Sequence, residues 1–191
     1  MARPRTVDRR QLIEATAEVI ARVGPRFTLA QVAEAAGVSV GSVAGAFGSK
    51  HGLLVALSRH GSDRAVTVVR EAAARAGNPR DAVRDAVVAL FAALGDADSA
   101  AHHLAQLGVD LADPALRELL GQHYAVVERE LGDLVRAAAG ESDAGPEPRR
   151  AARVLLAVAN GAALDWSIRP RGPLARRLAE DIETTTRSWW T

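Results

Sequence analysis

Cysteine is missing from all 191 positions, which excludes a disulfide framework and a thiolate-bound metal. Aromatic residues are scarce at 4%, and lysine occurs once, as Lys50, so positive charge is otherwise carried by arginine. No segment alternates apolar and polar residues over the length of a strand, which argues against a β-sheet. Uncharged apolar runs of about eighteen residues are also missing, so no membrane-spanning helix is expected. The opening MARPRTVDRR lacks the apolar segment of a secretory signal, and a cytoplasmic protein is expected. Catalytic signatures are lacking too. There is no glycine-rich phosphate loop and no nucleophile motif, and Asp96/Asp98 and Glu128/Glu130 are not spaced to share a helix face. Neither an enzyme nor a bound cofactor is expected.

What the chain does have is abundant alanine, helical periodicity and 48% apolar residues, in a length that supports a sizeable core. Together these predict an all-α protein. The stretch richest in signals is Phe27 to Phe47. Thr28 precedes an apolar-periodic run (Leu29, Val32, Ala33, Ala36) as an N-cap does. Gly37 stands where a left-handed residue ends a helix. Ser39 then caps a second short helix, with Val40, Val43 and Phe47 spaced to face inward. Two short helices joined by a turn containing glycine make a helix-turn-helix, whose second helix enters the DNA major groove. An αα-hairpin that merely packs in a bundle has the same pattern.

Two further features favour DNA. Ser49 caps another helix and places Lys50 in its first turn, where a cation is unfavourable unless an anion such as a DNA phosphate sits beside it. Charge is also uneven. Residues 1–60 hold eight basic groups against four acidic ones, whereas the remainder holds sixteen against nineteen. A basic head on a mildly acidic body suits phosphate contact.

Here the residues carry a resemblance. Ile13, Ala17, Gly24, Phe27-Thr28, Val32-Ala33, Ala36-Gly37-Val38-Ser39, Gly41-Ser42-Val43, Phe47, Ser49-Lys50 and Leu53-Leu54 resemble the DNA-binding domain of tetracycline-repressor (TetR) family regulators. The resemblance implies a homodimeric, all-helical repressor of about nine helices. Its N-terminal three-helix helix-turn-helix domain would bind a DNA operator, and its C-terminal helical domain would bind a small-molecule effector and dimerise. We accordingly divide the chain into a head, residues 1–52, and a body, residues 53–191. The DNA-contacting set is then Arg9, Arg10, Thr28, Ser39, Val40, Gly41, Ser42, Ala44, Gly45 and Lys50, with Arg3 and Arg5 either joining as a basic arm or lying in a solvated tail. The sequence departs from the family at Ala44 and Ala46, where aromatic residues are usual, and at His51, where an acid often follows the lysine. No Arg, Asn or Gln stands on the exposed face of the recognition helix to make bidentate base contacts. Soft readout through hydroxyls, thymine methyls and DNA shape is expected. The alternative is a ligand-binding helical dimer whose head has lost operator recognition.

Taken in order, the first helix runs from Thr6 or Val7 to Val23 and stops at Gly24-Pro25. A long helix spans 49–76, with Gly61 inside it. Gly77-Asn78-Pro79 is the clearest break. Five helices follow, over about 79–94, 99–108, 114–139, 149–168 and 173–190, and GESDAGPEP at 140–148 is the most mobile internal loop. The segment LLAVANGAAL makes the helix at 149–168 apolar on several sides. Its small residues Ala159, Gly161, Ala162 and Ala163 permit close helix approach, so 149–168 and 173–190 are the expected homodimer interface; a monomeric bundle is the alternative. Polar or aromatic residues on apolar helices nominate a ligand site from Phe91, His103, Gln106, His123, Tyr124 and Trp166, with Asp110, His102, Asn160 and Asp165 as further candidates. His102 and His103, about 100° apart on a helix, cannot both face one pocket. No metal site is expected, because the histidines show no ligand spacing.

Overall fold

The computed structural model describes residues 8–140 and 145–190. Among these there are nine α-helices, two short 3₁₀ turns and no strand: α1 (Arg9–Val23), α2 (Leu29–Ala36), α3 (Val40–Phe47), α4 (Lys50–Arg75), α5 (Pro79–Phe91), α6 (Ala97–Ala112), α7 (Pro114–Ala139), α8 (Pro148–Ile168) and α9 (Leu174–Thr186). The protein is all-α. No single described helix is long and apolar enough to cross a membrane.

Side chains that stand just before each helix write most of these boundaries. Asp8, Thr28, Ser39, Ser49, Asn78, Asp96, Asp113 and Glu147 each accept a hydrogen bond from a backbone N–H in the first turn that follows, satisfying donors that have no intrahelical partner. At α2 the cap is reciprocal: Thr28 accepts from the Gln31 N–H, while the Gln31 side chain accepts from the Thr28 N–H at 2.9 Å. Gly37 ends α2 at φ +66°, the left-handed region where a Cβ is costly.

Several helix extents differ from expectation; α9, for one, ends at Thr186 rather than at 190. Helix α6 runs over Ala97–Ala112 rather than 99–108. Capped by Asp96, it starts two residues early, and Gly108 does not end it, because α6 packs along α1 and the turn after it and continues to Asp113. Helix α5 tightens into a 3₁₀ turn over Ala92–Leu94 instead of continuing as α-helix. Asp8 is extended and caps α1, so this helix begins at Arg9 and does not run on from Thr6 or Val7; those two residues and the arm carrying Arg3 and Arg5 lie outside the described residues, as do residues 141–144 of the polar loop.

The buried side chains fall into two clusters. The head core gathers Leu12, Val19 and Ile20 of α1, Phe27, Val32 and Ala33 around α2, Val43 of α3, and Leu53 and Leu54 of α4. The body core gathers Ala65, Val69 and Ala72 of α4 with Val83, Val87, Val127, Leu131, Leu155, Trp166, Leu178 and Ile182. Helix α4 therefore serves both, and Leu116 from the start of α7, 2% exposed, reaches into the head core. Head and body share a helix and a joint, not a loose linker. Helix α6 reinforces that joint. His102 donates its Nδ1 proton to the Ala21 carbonyl at 2.8 Å, the only role open to a nitrogen facing a carbonyl oxygen.

Candidate nucleic-acid interface and ligand cavity

Helices α2 and α3 are inclined at 109° across the Gly37 turn, within the range of helix-turn-helix units. Only Val43 of α3 is fully buried; Ser39, Val40, Gly41 and Gly45 are exposed, and Ser42 and Ala44 are half-buried. Val40 corrects an expectation, since it was spaced to face inward yet is 47% exposed. As the first helical residue it lies beyond the turn that Val43 and Phe47 press onto the core. The outward face of α3 is thus small and smooth, with an isopropyl group and two hydroxyls. The Ser39 hydroxyl caps the helix and lies 2.9 Å from the Ser42 hydroxyl.

The basic residues divide by role. Arg10 is exposed, and among the described residues its guanidinium pairs with Glu14, one turn on. Arg9 instead donates to the Ala46 carbonyl and stacks its guanidinium 4.5 Å from the centre of the Phe47 ring, tying α1 to the end of α3. Lys50, expected to contact phosphate, is engaged within the chain. Its ammonium donates to the Pro25 carbonyl at 2.6 Å and the Phe27 carbonyl at 2.7 Å, and lies 4.1 Å from the centre of the Phe27 ring. The cation that looked unfavourable at a helix N-terminus is stabilised by two carbonyls and a ring face inside the protein. Partial burial lowers its pKa. Thr28 is engaged in the α2 capping box and is exposed.

A cavity of about 390 Å³ opens where head meets body. Its walls come from α1 (Ala17, Ile20), α4 (Leu54, Leu57, Ser58, Gly61), α6 (His103, Gln106, Leu107, Asp110) and α7 (Leu116, Leu119, Leu120, His123), with Leu94 at one side. Apolar walls with a few polar groups are how small-molecule sites are built. Burial holds the His103 and His123 imidazoles below the usual histidine pKa, His103 further so because His102 is adjacent. Burial raises the pKa of Asp110, although a 2.8 Å hydrogen bond from Gln106 opposes this.

Three of the six expected ligand residues, His103, Gln106 and His123, share this cavity. The others do not join them. Phe91 and Trp166 line a second hollow of about 390 Å³ between α5, α8 and α9, where the Trp166 indole N–H is held by the Gly172 carbonyl at 2.9 Å. Tyr124 packs on the body core and meets His123 edge-on at 6.0 Å. Residues one apart on a helix face different directions, which separates Tyr124 from His123 as it separates His102 from His103. The contributions of α1 and α4 were not legible in the sequence. Only Gly61, a glycine inside a long helix, marked the place. Among the described residues no three histidine or carboxylate side chains gather to hold a metal.

Comparison with known proteins places this architecture. Residues 12–57 match the family of bacterial regulatory proteins described as the tetR family, and residues 79–189, more than half of the chain, match the family described as BetI-type transcriptional repressor, C-terminal. The chain belongs to the TetR family of transcriptional regulators. It is similar to the HTH-type transcriptional regulator BetI of Burkholderia mallei, 43% identical over 89 residues, and to BetI of Burkholderia ambifaria, 44% identical over 90 residues. These matches cover 46% of this chain and 46% of each relative, so the chain spans about half the length of the curated relatives it matches. Among solved structures it resembles a transcriptional regulator from Rhodococcus sp. Rha1 (TM-score 0.74, 24% identity, covering 94% of this chain and 96% of that one). It also resembles FadR from Bacillus subtilis in complex with stearoyl-CoA (TM-score 0.73, 20% identity, covering 92% and 96%). At these identities the likeness concerns the fold.

Proposed function

We propose that the protein is a ligand-responsive repressor that binds a near-palindromic DNA operator as a homodimer and releases it when a small molecule fills the cavity between α1, α4, α6 and α7. The observation that carries this reading is the placement of the cavity. It is bounded by α1, whose Arg9 holds the end of α3, and by α4, which packs on α3 and runs from the head into the body, so an occupant pushes on both. The exposed face of α3, Ser39 to Gly45, is the reading surface, with Arg10 beside it for phosphate. Arg9, Thr28 and Lys50 position the reading unit. The homodimer supplies two such units to major grooves about 34–36 Å apart, or a multiple of that spacing.

A stripe along α8 supports the homodimer. Val154, Ala157, Gly161, Leu164 and Ile168 recur at three- to four-residue spacing and are all exposed, Ile168 at 69% and Leu164 at 49%. Of the small residues read as an approach surface, Ala159, Ala162 and Ala163 are buried in this chain's own core, and Gly161 alone faces out. The second reading, a ligand-binding dimer with a silent head, is favoured by the absence of Arg, Asn or Gln from the face of α3. Titrating the protein against DNA from upstream of its own gene, at several salt concentrations and against a scrambled duplex, separates the two. The repressor reading expects preference for the upstream DNA and a log-affinity that falls linearly with log salt. Equal, weak binding to both duplexes supports the silent head.

A further inference from the structure

Three features of the head–body cavity restrict what fits it. First, its charge has one sign. Among the residues lining it Asp110 is the sole carboxylate, and no Arg or Lys is present. An acyl carboxylate or a phosphate entering it meets no cation. Second, the two imidazoles on its wall are held toward the neutral form by burial, so they do not supply that cation. Third, Gln106 is 6% exposed and only half satisfied. Its amide N–H donates to Asp110 Oδ1, which fixes the amide orientation against an acceptor, and its carbonyl oxygen is buried with no hydrogen-bond partner. A carboxylate desolvated beside an unmet carbonyl is a costly arrangement for a protein to keep empty. Both groups ask for the same thing, a positively charged N–H donor. The rest of the wall, chiefly Leu54, Leu57, Leu119 and Leu120, asks for a hydrocarbon body. No Phe, Tyr or Trp lines the cavity, so it has no aromatic ring to stack on a fully alkylated ammonium.

We infer that the effector is an apolar protonated amine bearing at least one N–H, whose ammonium pairs with Asp110 and donates to Gln106 while its hydrocarbon part lies between α4 and α7. This rests on the effector reading above and names its ligand class. Occupancy by such a cation bridges α6 to the hydrocarbon wall of α4 and α1.

The test is calorimetric titration of the full-length protein with n-octylammonium, 1-octanol, octanoate and trimethyloctylammonium. Wild-type protein is expected to bind n-octylammonium at one per chain. Octanol and trimethyloctylammonium should bind at least tenfold more weakly, and octanoate should give no signal. Asp110→Asn, isosteric and relieved of a desolvated charge, should lose at least tenfold in affinity for n-octylammonium. Its melting temperature without ligand should match or exceed that of wild type. Gly61→Leu provides a second variant, because a Cβ at Gly61 meets nothing within 4 Å and a leucine there fills the cavity; it should fold and fail to bind. The inference is overturned if octanol or octanoate binds as tightly as the ammonium. It is equally overturned if Asp110→Asn leaves the affinity unchanged, or if none of the probes binds. Adding n-octylammonium to the DNA titration keeps the two readings apart. Binding of the amine without release of DNA sinks the repressor mechanism and leaves the ligand class standing.

Discussion

Lys50 illustrates how a single side chain changes meaning once its surroundings are known. As the chain's one lysine, at a helix start, it reads as a phosphate contact. In the fold its ammonium closes the turn between α1 and α2 by holding the Pro25 and Phe27 carbonyls. A compact ammonium with three donors reaches two converging oxygens, which a planar guanidinium does less well, and this accounts for lysine where every other cation is arginine. Lys50→Ala should lower stability by about 1–2 kcal/mol, the scale of charge-assisted hydrogen bonds that are partly solvated, measured by urea denaturation. In DNA titrations the same variant should leave the salt slope unchanged. A slope flatter by about one unit would return Lys50 to the phosphate contacts.

At the scale of elements, the joint between α6 and α7 governs how head and body are coupled. Asp113 closes α6 and opens α7, accepting from the N–H groups of Ala115 and Leu116, with its other oxygen 3.3 Å from His51 Nδ1 on α4. One carboxylate therefore fixes where Leu116 enters the head core. Asp113→Ala should cost about 1 kcal/mol as a lost N-cap. Because the cap positions a cavity wall, n-octylammonium should also bind the variant more weakly. Unaltered ligand affinity alongside the stability loss would confine Asp113 to capping. The recognition helix belongs to this scale as well. Its eight residues are too few to be stable alone, so Arg9 on the Ala46 carbonyl and Phe47 ring, together with buried Val43, hold it in place.

For the whole molecule, the proposed homodimer rests on the α8 stripe. Leu164 stands near its middle, exposed in the single chain, so changing it leaves both cores untouched. Leu164→Glu should convert the homodimer into a folded monomer by light scattering, since two desolvated carboxylates would face one another across a two-fold interface. Operator affinity should fall with it, because a single head reads only half a site. A Leu164→Glu protein that remains dimeric would move the interface off α8.

Local chemistry accounts for much of this protein directly from its residue order. Caps such as Thr28, Ser39 and Asp113 act within three residues of where they are written, and Gly37 needs no distant partner to end a helix. The all-α class, the helix-turn-helix and most helix boundaries follow from that. Tertiary structure alone decided what each of these helices faces. Val40 is exposed, Lys50 is bound to carbonyls twenty-five and twenty-three residues away, and Phe91 and Trp166 are parted from His103 and His123. The cavity exists only where four helices from distant parts of the chain converge, and periodicity states that a side chain is buried without stating against what.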